Sequence, residues 1–176
     1  GEQRMVAIAQ VKSSALNPRK DFRDDELAEL AESIRTKGLV QPIIVRPDPG
    51  SVGDFEIVAG ERRWRAVQLN GDETILAVIQ DMSDSFAMVL ALTDNSGEPL
   101  TDYEHARQYH LILQEGKEKS QRALARRLGV NVSTVNRCLT LMQLPESIRA
   151  VLDKNPSLIT SNYAKQFVDF AEVHAL

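Results

Sequence analysis

The sequence predicts an α+β domain with a small mixed sheet over residues 1–95, followed by an all-α domain over residues 96–176. Three observations predict this division. Short β-branched runs alternate with helical segments in the first half of the chain. Residues 95–99, which include Gly97 and Pro99, combine turn-forming and helix-breaking types. Every later segment has the apolar spacing of a helix, and 176 residues exceed the usual size of one compact domain.

The elements of the first domain follow in order along the chain. Asp24 or Asp25 can cap the first helix, and Gly38 stops it. Turn-forming residues cluster over residues 48–53, which predicts a hairpin between the strands on either side. We predict strands over residues 6–11, 40–45, 55–59 and 74–79. Besides the helix that ends at Gly38, we predict helices over residues 61–69 and 83–92.

Charge is distributed unevenly along the chain. The total of −4 at pH 7 argues only weakly against a nucleic-acid partner. Residues 1–116 hold 12 basic and 20 acidic residues and carry −8, whereas residues 117–149 hold 7 basic and 2 acidic residues and carry +5. Because attraction to phosphate is local and is screened within about 10 Å at ordinary salt, we expect DNA to bind at the basic segment.

The basic segment has the pattern of a helix-turn-helix over residues 120–142. Ser120 can cap the first helix, Ala125 is small where the helices cross, and Gly129 can adopt the positive φ that the turn needs. The shared core is predicted to contain Leu124, Leu128, Val130, Val135 and Leu139. The alternative is a pair of packing helices in an ordinary bundle with a solvated basic face.

Polar side chains and arginines remain for the outer faces of these two helices. Asn136 and Arg137 can pair bidentately with adenine and guanine. Arg122, Arg126 and Arg127 are better placed for phosphates. The predicted DNA-binding residues are Ser120, Gln121, Arg122, Arg126, Arg127, Ser133, Thr134, Asn136 and Arg137.

Three arginines, Arg62, Arg63 and Arg65, follow Gly60 where a strand passes into a helix. A helix N-terminus exposes unpaired N–H groups, and guanidinium groups add bidentate donors, so this turn predicts a site for a chain of phosphates. It lacks the Walker pattern and the dinucleotide fingerprint, so kinase or dehydrogenase chemistry is not indicated. The alternative is a solvated arginine cluster that pairs with the acidic helix at residues 24–32.

Three blocks resemble, in order, the motifs of the ParB family of chromosome and plasmid partition proteins. They are Asn-Pro-Arg with Phe22 over residues 17–22, Gly-Leu-Val-Gln-Pro-Ile-Ile-Val-Arg-Pro over residues 38–47, and Gly-Glu-Arg-Arg-Trp-Arg-Ala over residues 60–66. The helix-turn-helix follows at the expected distance, and the chain is identified as a member of this family. The resemblance implies a ParB/sulfiredoxin-like N-terminal domain and sequence-specific binding to a centromere-like (parS-like) site in a plasmid or chromosome partition system.

The resemblance also implies CTP and Mg²⁺ as cofactors, slow CTP hydrolysis, and a clamp that slides on DNA. The implied nucleotide-binding residues are Gln41, Gly60, Glu61, Arg62, Arg63, Arg65 and Asn95. Gln41 and Glu61 would assist hydrolysis, and Asn95 would bind the metal. Residues 93–100 depart from the family's Glu-Asn-x-x-Arg motif because the arginine is missing. Losing that contact lowers the expected affinity for CTP about ten- to a hundredfold.

The implied partners are palindromic double-stranded DNA, a second copy of the chain and a ParA-type ATPase. Neither a secretory signal nor an apolar run long enough for a membrane span is visible, so we expect a cytoplasmic protein associated with nucleoid or plasmid DNA. Gly1 ahead of a polar segment predicts that the chain is a fragment of a longer protein, and Cys138 is predicted to be a packing thiol.

Two other functions compete with the clamp. One is a ParB-family DNA-binding adaptor or plasmid transcriptional repressor that does not use CTP. The other is a nuclease or phosphotransferase on the related N-terminal fold. The second lacks a catalytic histidine pair or carboxylate cluster in the sequence.

Overall fold

The chain forms two compact units in the computed structural model, which describes residues 1–20, 22–94 and 99–174. The units are Gly1–Gly97 and Glu98–Leu176. The first combines a five-stranded sheet with helices, and the second contains helices without a strand in its described residues. The predicted fold class is therefore confirmed.

The first unit is built on a mixed sheet. Its elements are β1 (Glu2–Ala7), a 3₁₀ helix (Ile8–Gln10), β2 (Val11–Lys12), α1 (Asp24–Lys37), β3 (Ile43–Pro47), β4 (Phe55–Ala59), α2 (Glu61–Leu69), β5 (Thr74–Ile79) and α3 (Asp84–Thr93). The strand order is β1-β5-β3-β4-β2. The pairs β1/β5 and β3/β4 are antiparallel, which confirms the predicted hairpin, and the pairs β3/β5 and β2/β4 are parallel.

The sheet is strongly curled. β1 and β2 lie at opposite edges of the strand order, yet only the 3₁₀ helix separates them in the chain. A flat sheet of five strands would place its edges about 19 Å apart. The chain from Ala7 to Val11 can reach about 14 Å at most, so the sheet has to curl. The core of this unit contains Val6, Val11, Ile43, Val45, Ile57, Val67, Ile75 and Ala77.

Two predicted strands and one predicted helix cap differ from the structure. The strand expected over residues 6–11 begins at Glu2 and is broken by the 3₁₀ helix, because the chain crosses between the two sheet edges there. The strand expected over residues 40–45 lies at Ile43–Pro47, and Val40 is 86% exposed. The N-cap of α1 is Arg23, so neither aspartate caps that helix.

The second unit contains five α-helices in its described residues. They are α4 (Asp102–Gln114), α5 (Gln121–Leu128), α6 (Val132–Thr140), α7 (Glu146–Lys154) and α8 (Ala164–Val173), with a 3₁₀ helix at Leu141–Gln143. Thr101 and Glu104 form a capping box at the start of α4. α6 packs against α4, α5 and α8, so the second helix of the helix-turn-helix is held on several sides. No described helix has the length and apolarity needed to cross a membrane.

Candidate nucleotide and DNA sites

Gly60, between β4 and α2, occupies a position that disfavours a residue with a side chain. Its φ is +94°, in the left-handed region that side chains disfavour. A Cβ at this position would lie 2.8 Å from Arg63 Nη2 and 3.0 Å from Ile43 Cγ2. The missing side chain lets the Arg63 guanidinium fold back against the start of α2.

The Arg63 side chain joins the arginine turn to the block at residues 38–47. Its Nη1 donates to the carbonyl of Gln41 at 3.1 Å and to that of Pro42 at 2.6 Å. Its Nη2 lies 3.6 Å from Asp94 Oδ2, and the side chain is 11% exposed. Burial lowers the pKa of Arg63 below its usual value, although Asp94 acts in the opposite direction. Gln41 thus reaches the arginine turn through its backbone.

Glu61 is an almost fully buried carboxylate that joins the arginine turn to the loop after β2. Its Oε1 accepts from Ser13 Oγ at 2.8 Å and from Arg65 Nη2 at 2.8 Å, while its Oε2 accepts from Asn17 Nδ2. The Arg65 guanidinium also stacks over the Phe22 ring, with Cζ 4.1 Å from the ring centroid. Both oxygens of Glu61 are engaged, which suits an anchor for Arg65. A part for Glu61 in hydrolysis stays a prediction.

Arg62 pairs with the acidic helix α1. This contact fits the interpretation in which the arginine cluster pairs with residues 24–32. Arg62 Nη2 lies 3.5 Å from Oε2 of Glu26 on α1. Glu26 Oε1 lies 3.3 Å from Arg23 Nη1, so the carboxylate is shared between two arginines. Because Arg62 is about 21% exposed, the pair contributes modestly to stability.

The structure brings the three family-like blocks together around Gly60. Asn17 and Phe22 meet Glu61 and Arg65, and the carbonyl of Gln41 meets Arg63. Arg63 lies against Gly60, and Arg62 and Arg65 stand on the same first turns of α2. Arginines at a helix N-terminus are donors that suit a chain of phosphates.

A metal site is not formed by the residues that the structure describes. They contain no group of three or more His, Cys, Asp or Glu side chains arranged to hold an ion. The predicted metal ligand, Asn95, lies outside the described residues, as does most of the altered segment at residues 94–98. Its part in binding metal or nucleotide therefore stays a prediction.

The helix-turn-helix has the predicted geometry in its turn. Ser120 Oγ accepts from the Ala123 N–H at 3.1 Å, which confirms the cap, and Gly129 has φ of +70°. Leu124, Ala125 and Val135 are buried, as expected. Val130 is 39% exposed, so its predicted place in the core is wrong. It directly follows the turn glycine, where the backbone turns the side chain outward.

The outer face of α6 carries the predicted base-reading residues. Ser133, Asn136 and Arg137 are exposed, and Thr134 is half-buried. Asn136 Nδ2 donates to Gln121 Oε1 of α5 at 3.3 Å. Arg137 Nη1 donates to Oδ1 of Asn162, in the loop before α8, at 3.4 Å. The polar groups proposed to read bases are therefore oriented by neighbouring side chains.

The arginines of α5 differ from one another in pairing. Arg127 Nη1 lies 2.5 Å from Glu118 Oε1, so part of its charge is balanced within the chain. Arg122 and Arg126 are exposed and make no ion pair with any residue that the structure describes. These two guanidinium groups form the strongest candidates for phosphate contacts on this helix.

Cys138 lies on the inner face of α6. It is 2% exposed, and burial raises the pKa of its thiol to about 11, with a further contribution from Asp102. A thiol of this kind is protonated and inert at neutral pH. Its predicted role as a packing residue is confirmed.

Sequence reasoning missed several residues that organise these sites. Ser13 holds Glu61, the anchor of Arg65, and Asp94 lies near Arg63 in the first unit, while Asn162 accepts from Arg137 in the second. Ser13 stands close to the Asn-Pro-Arg motif, which was a usable signal. Asp94 and Asn162 give no local sequence signal, because their partners lie far away along the chain.

Family models match the chain in two consecutive segments. The ParB N-terminal domain matches residues 1–96, and the ParB HTH domain matches residues 98–175. The chain is 41% identical over 162 residues to the chromosome-partitioning protein Spo0J of Thermus thermophilus, covering 91% of this chain and 57% of that protein. It is 39% identical over 168 residues to the nucleoid occlusion protein of Geobacillus thermodenitrificans, covering 95% and 58%. The chain thus spans a little over half the length of these relatives.

Two solved structures of a C-terminally truncated chromosome-partitioning protein from Caulobacter crescentus resemble this chain, each at 29% identity. The structure with the centromeric parS site has a TM-score of 0.63 and covers 92% of this chain and 82% of that chain. The structure with CTP-γ-S has a TM-score of 0.53 and covers 96% and 99%.

Proposed function

This chain belongs to the ParB family, and from that premise we propose that it binds a centromere-like DNA site and closes on DNA as a CTP-gated clamp. One observation carries the proposal: an arginine turn, with Arg63 against Gly60, lies in the same chain as a helix-turn-helix whose second helix exposes Ser133, Asn136 and Arg137. Partition of a plasmid or chromosome is the process in which such a protein acts.

The DNA part of the proposal rests on charge and orientation in the second unit. Arg122 and Arg126 would contact phosphates, and Asn136 and Arg137 would contact base edges in the major groove. The relative from Caulobacter crescentus was solved with a parS site, which supports the same class of ligand for this chain. A palindromic site would be read by two copies of the chain related by two-fold symmetry.

The nucleotide part rests on the arginine turn. The donors proposed for the triphosphate are the N-terminus of α2 and the guanidinium groups of Arg62, Arg63 and Arg65, with Gly60 allowing close approach. Gln41, which lies beside Arg63, would line the nucleotide. When bound, CTP with Mg²⁺ would supply a compact polyanion and a hydrolysable phosphoanhydride. The CTP-γ-S complex of the Caulobacter relative supports this choice of nucleotide.

Further roles follow from family membership. We infer slow CTP hydrolysis assisted by Gln41 and Glu61, metal binding by Asn95, a homodimer, a ParA-type ATPase partner and association with nucleoid or plasmid DNA. The lost arginine in the segment after α3 makes hydrolysis the weakest of these inferences.

A second candidate function is a DNA-binding adaptor or repressor that does not use CTP. The similarity to a nucleoid occlusion protein supports it, because that name describes a role other than partition. Both candidates share the DNA face, and they differ in what the arginine turn does.

Selection of DNA from a random duplex pool tests the proposal and separates the two candidates. We expect one palindromic sequence to be enriched, with an affinity about a thousandfold or more above that for random DNA. Adding CTP with Mg²⁺, but not ATP with Mg²⁺, should change the retention of that duplex. No enriched sequence would contradict both candidates, and enrichment without any CTP effect would leave the adaptor.

A further inference from the structure

Arg46 is a buried positive charge on β3 that the proposed function does not use. It is 4% exposed and lies directly opposite Glu56 in the register of β3 and β4. Its Nε and Nη2 lie 2.8 Å and 2.7 Å from Glu56 Oε2. Its Nη1 lies 2.7 Å from Asp84 Oδ1 and donates to the Met82 carbonyl at 3.3 Å. A buried guanidinium is tolerated only when paired in this way, and the pairing fixes the orientation of Glu56.

The second oxygen of Glu56 extends this network into the loop after β2. Ser14 Oγ donates to Glu56 Oε1 at 2.6 Å and accepts from the Leu16 N–H at 3.0 Å. Ser14 is 6% exposed, so its hydroxyl has no alternative partner in solvent. The position of Leu16 therefore depends on the orientation that Arg46 gives to Glu56.

The same loop holds the anchor of the arginine turn. Ser13 and Asn17 both donate to Glu61, which accepts in turn from Arg65. The Arg19 N–H then donates to Asn17 Oδ1 at 3.0 Å, which closes the loop on itself. Two sets of hydrogen bonds, joined by the backbone of residues 13–17, thus link Arg46 to Arg65, although Arg46 is not among the residues assigned to the nucleotide.

We propose that Arg46 is a positioning residue of the arginine-turn site. Through Glu56 and Ser14 it holds the loop at residues 13–17 where Glu61 can fix the Arg65 guanidinium. Through Asp84 it ties the first turn of α3 to the same carboxylate. As far as it concerns nucleotide affinity, this role rests on the proposed function, whereas the ordering of the loop does not.

Two substitutions and their combination test this role in the whole chain. Arg46→Lys keeps the charge but loses the forked donor geometry, and Ser14→Ala removes the last link to the loop. Ser51→Ala is the matched control, because Ser51 Oγ also donates to a carboxylate at 2.6 Å, that of Asp54 in the β3–β4 turn. The measurements are the affinity for CTP with Mg²⁺ by calorimetry, the exchange rate of the Arg19 amide without nucleotide, and the thermal unfolding temperature.

Each single variant should lower CTP affinity about three- to tenfold and speed exchange of the Arg19 amide. The double variant should bind CTP no more weakly than the single variant with the lower affinity, because both changes act through one contact. Ser51→Ala should change neither quantity.

A lower unfolding temperature with unchanged Arg19 exchange and unchanged CTP affinity would assign Arg46 to stability alone and overturn the proposal. Fully additive losses in the double variant would also overturn it. If Arg46→Lys fails to fold, Ser14→Ala decides by the same two readouts. If the wild type binds no CTP, the proposed function fails, while Arg19 exchange still decides whether Arg46 orders the loop.

Discussion

The arginine turn of the first unit and the start of α5 in the second unit differ in how their arginines are paired. In the first unit, Arg62, Arg63 and Arg65 each lie near a carboxylate of their own unit. In the second, Arg122 and Arg126 are exposed and have no ion pair within the described residues.

This difference implies two kinds of anion recognition. Unpaired surface arginines attract any polyanion by releasing its counterions, so we expect selectivity for one DNA sequence to come from the groups proposed to read bases, Asn136 and Arg137. An arginine that already has a carboxylate partner binds a further anion favourably only if that anion makes better hydrogen bonds than the carboxylate does. We therefore expect the DNA face to be strongly salt-dependent and the arginine turn to be selective by shape.

Gly60→Ala should have the largest effect on CTP binding and on stability, because it changes the backbone and the packing of the arginine turn directly. The new Cβ would lie 2.8 Å from Arg63 Nη2, in a backbone with φ of +94°. We expect calorimetry to detect no CTP binding, and denaturant unfolding to show a loss of about 2–4 kcal/mol in the first unit.

Gly53→Ala is the control for this prediction. Gly53 also has a positive φ, of +88°, but no atom lies within 4 Å of the place of a Cβ. It should lose about 1 kcal/mol from the backbone conformation alone and retain CTP binding. Equal losses in the two variants would show that the close approach at Gly60 is unimportant.

Arg137→Ala should have the next largest effect, confined to the DNA face. Losing a bidentate contact to one base should lower affinity for the selected duplex by about 1–3 kcal/mol and relax preference at that base pair. Competition binding with single base-pair variants of the duplex measures this. A uniform loss across all variants would instead assign Arg137 to the phosphates.

Arg126→Ala should weaken binding to every duplex and reduce the magnitude of the salt slope by about 1. Titrations at several salt concentrations measure the slope. Arg127→Ala is the matched control on the same helix, because its charge is already balanced by Glu118. It should change the slope less, and equal changes would contradict the comparison between paired and unpaired arginines.

Alkaline pH should destabilise the second unit through Cys138. Its folded-state pKa of about 11 exceeds the ordinary thiol value of 9.0, so the neutral thiol stabilises the fold below about pH 9. This contribution is lost as pH rises through about 11. Between pH 8 and 10 the free energy of unfolding should fall by about 1 kcal/mol in reducing buffer. Cys138→Ala should lack this fall, and an identical pH profile in the variant would assign the fall to other groups.

Glu26→Gln should have the smallest effect, and it should strengthen the binding of CTP. Removing this carboxylate frees Arg62 from its partner at 3.5 Å, so CTP should bind about two- to threefold more tightly. Glu29→Gln, on the same helix, should leave the affinity unchanged. Weaker binding in Glu26→Gln would show that Glu26 orients Arg62 for the nucleotide and does not compete with it.

Much of the fold could be predicted because local signals agree with the tertiary structure. β4, α2 and β5 have the predicted bounds, and the turn at Gly129 has the predicted conformation. The start of β1 could not be predicted, because an edge strand with an exposed face tolerates polar residues such as Glu2 and Arg4. The break after Ala7 follows from sheet curling, which depends on pairings far away in sequence.

The sequence indicates the donors proposed for the two sites, but it does not indicate which residues hold those donors in place. Composition and position indicate Gly60 and the arginines that follow it, because turn chemistry and charge are local properties. The carboxylates near Arg62 and Arg63 come from other elements of the fold. Glu61, the partner of Arg65, lies on the same helix, but only the folded chain shows that it faces the loop after β2. In the sequence Arg46 is one polar residue on a strand, and nothing there indicates that it is buried. Its burial depends on Glu56 across the hairpin.

The most direct test of the account is a calorimetric titration of CTP, against ATP, GTP and UTP, with Mg²⁺ and with or without the selected duplex. The account predicts binding selective for CTP in the wild type and loss of that binding in Arg63→Ala. Absence of CTP binding, even with the duplex present, would contradict it and leave a helix-turn-helix protein whose arginine turn serves its own fold.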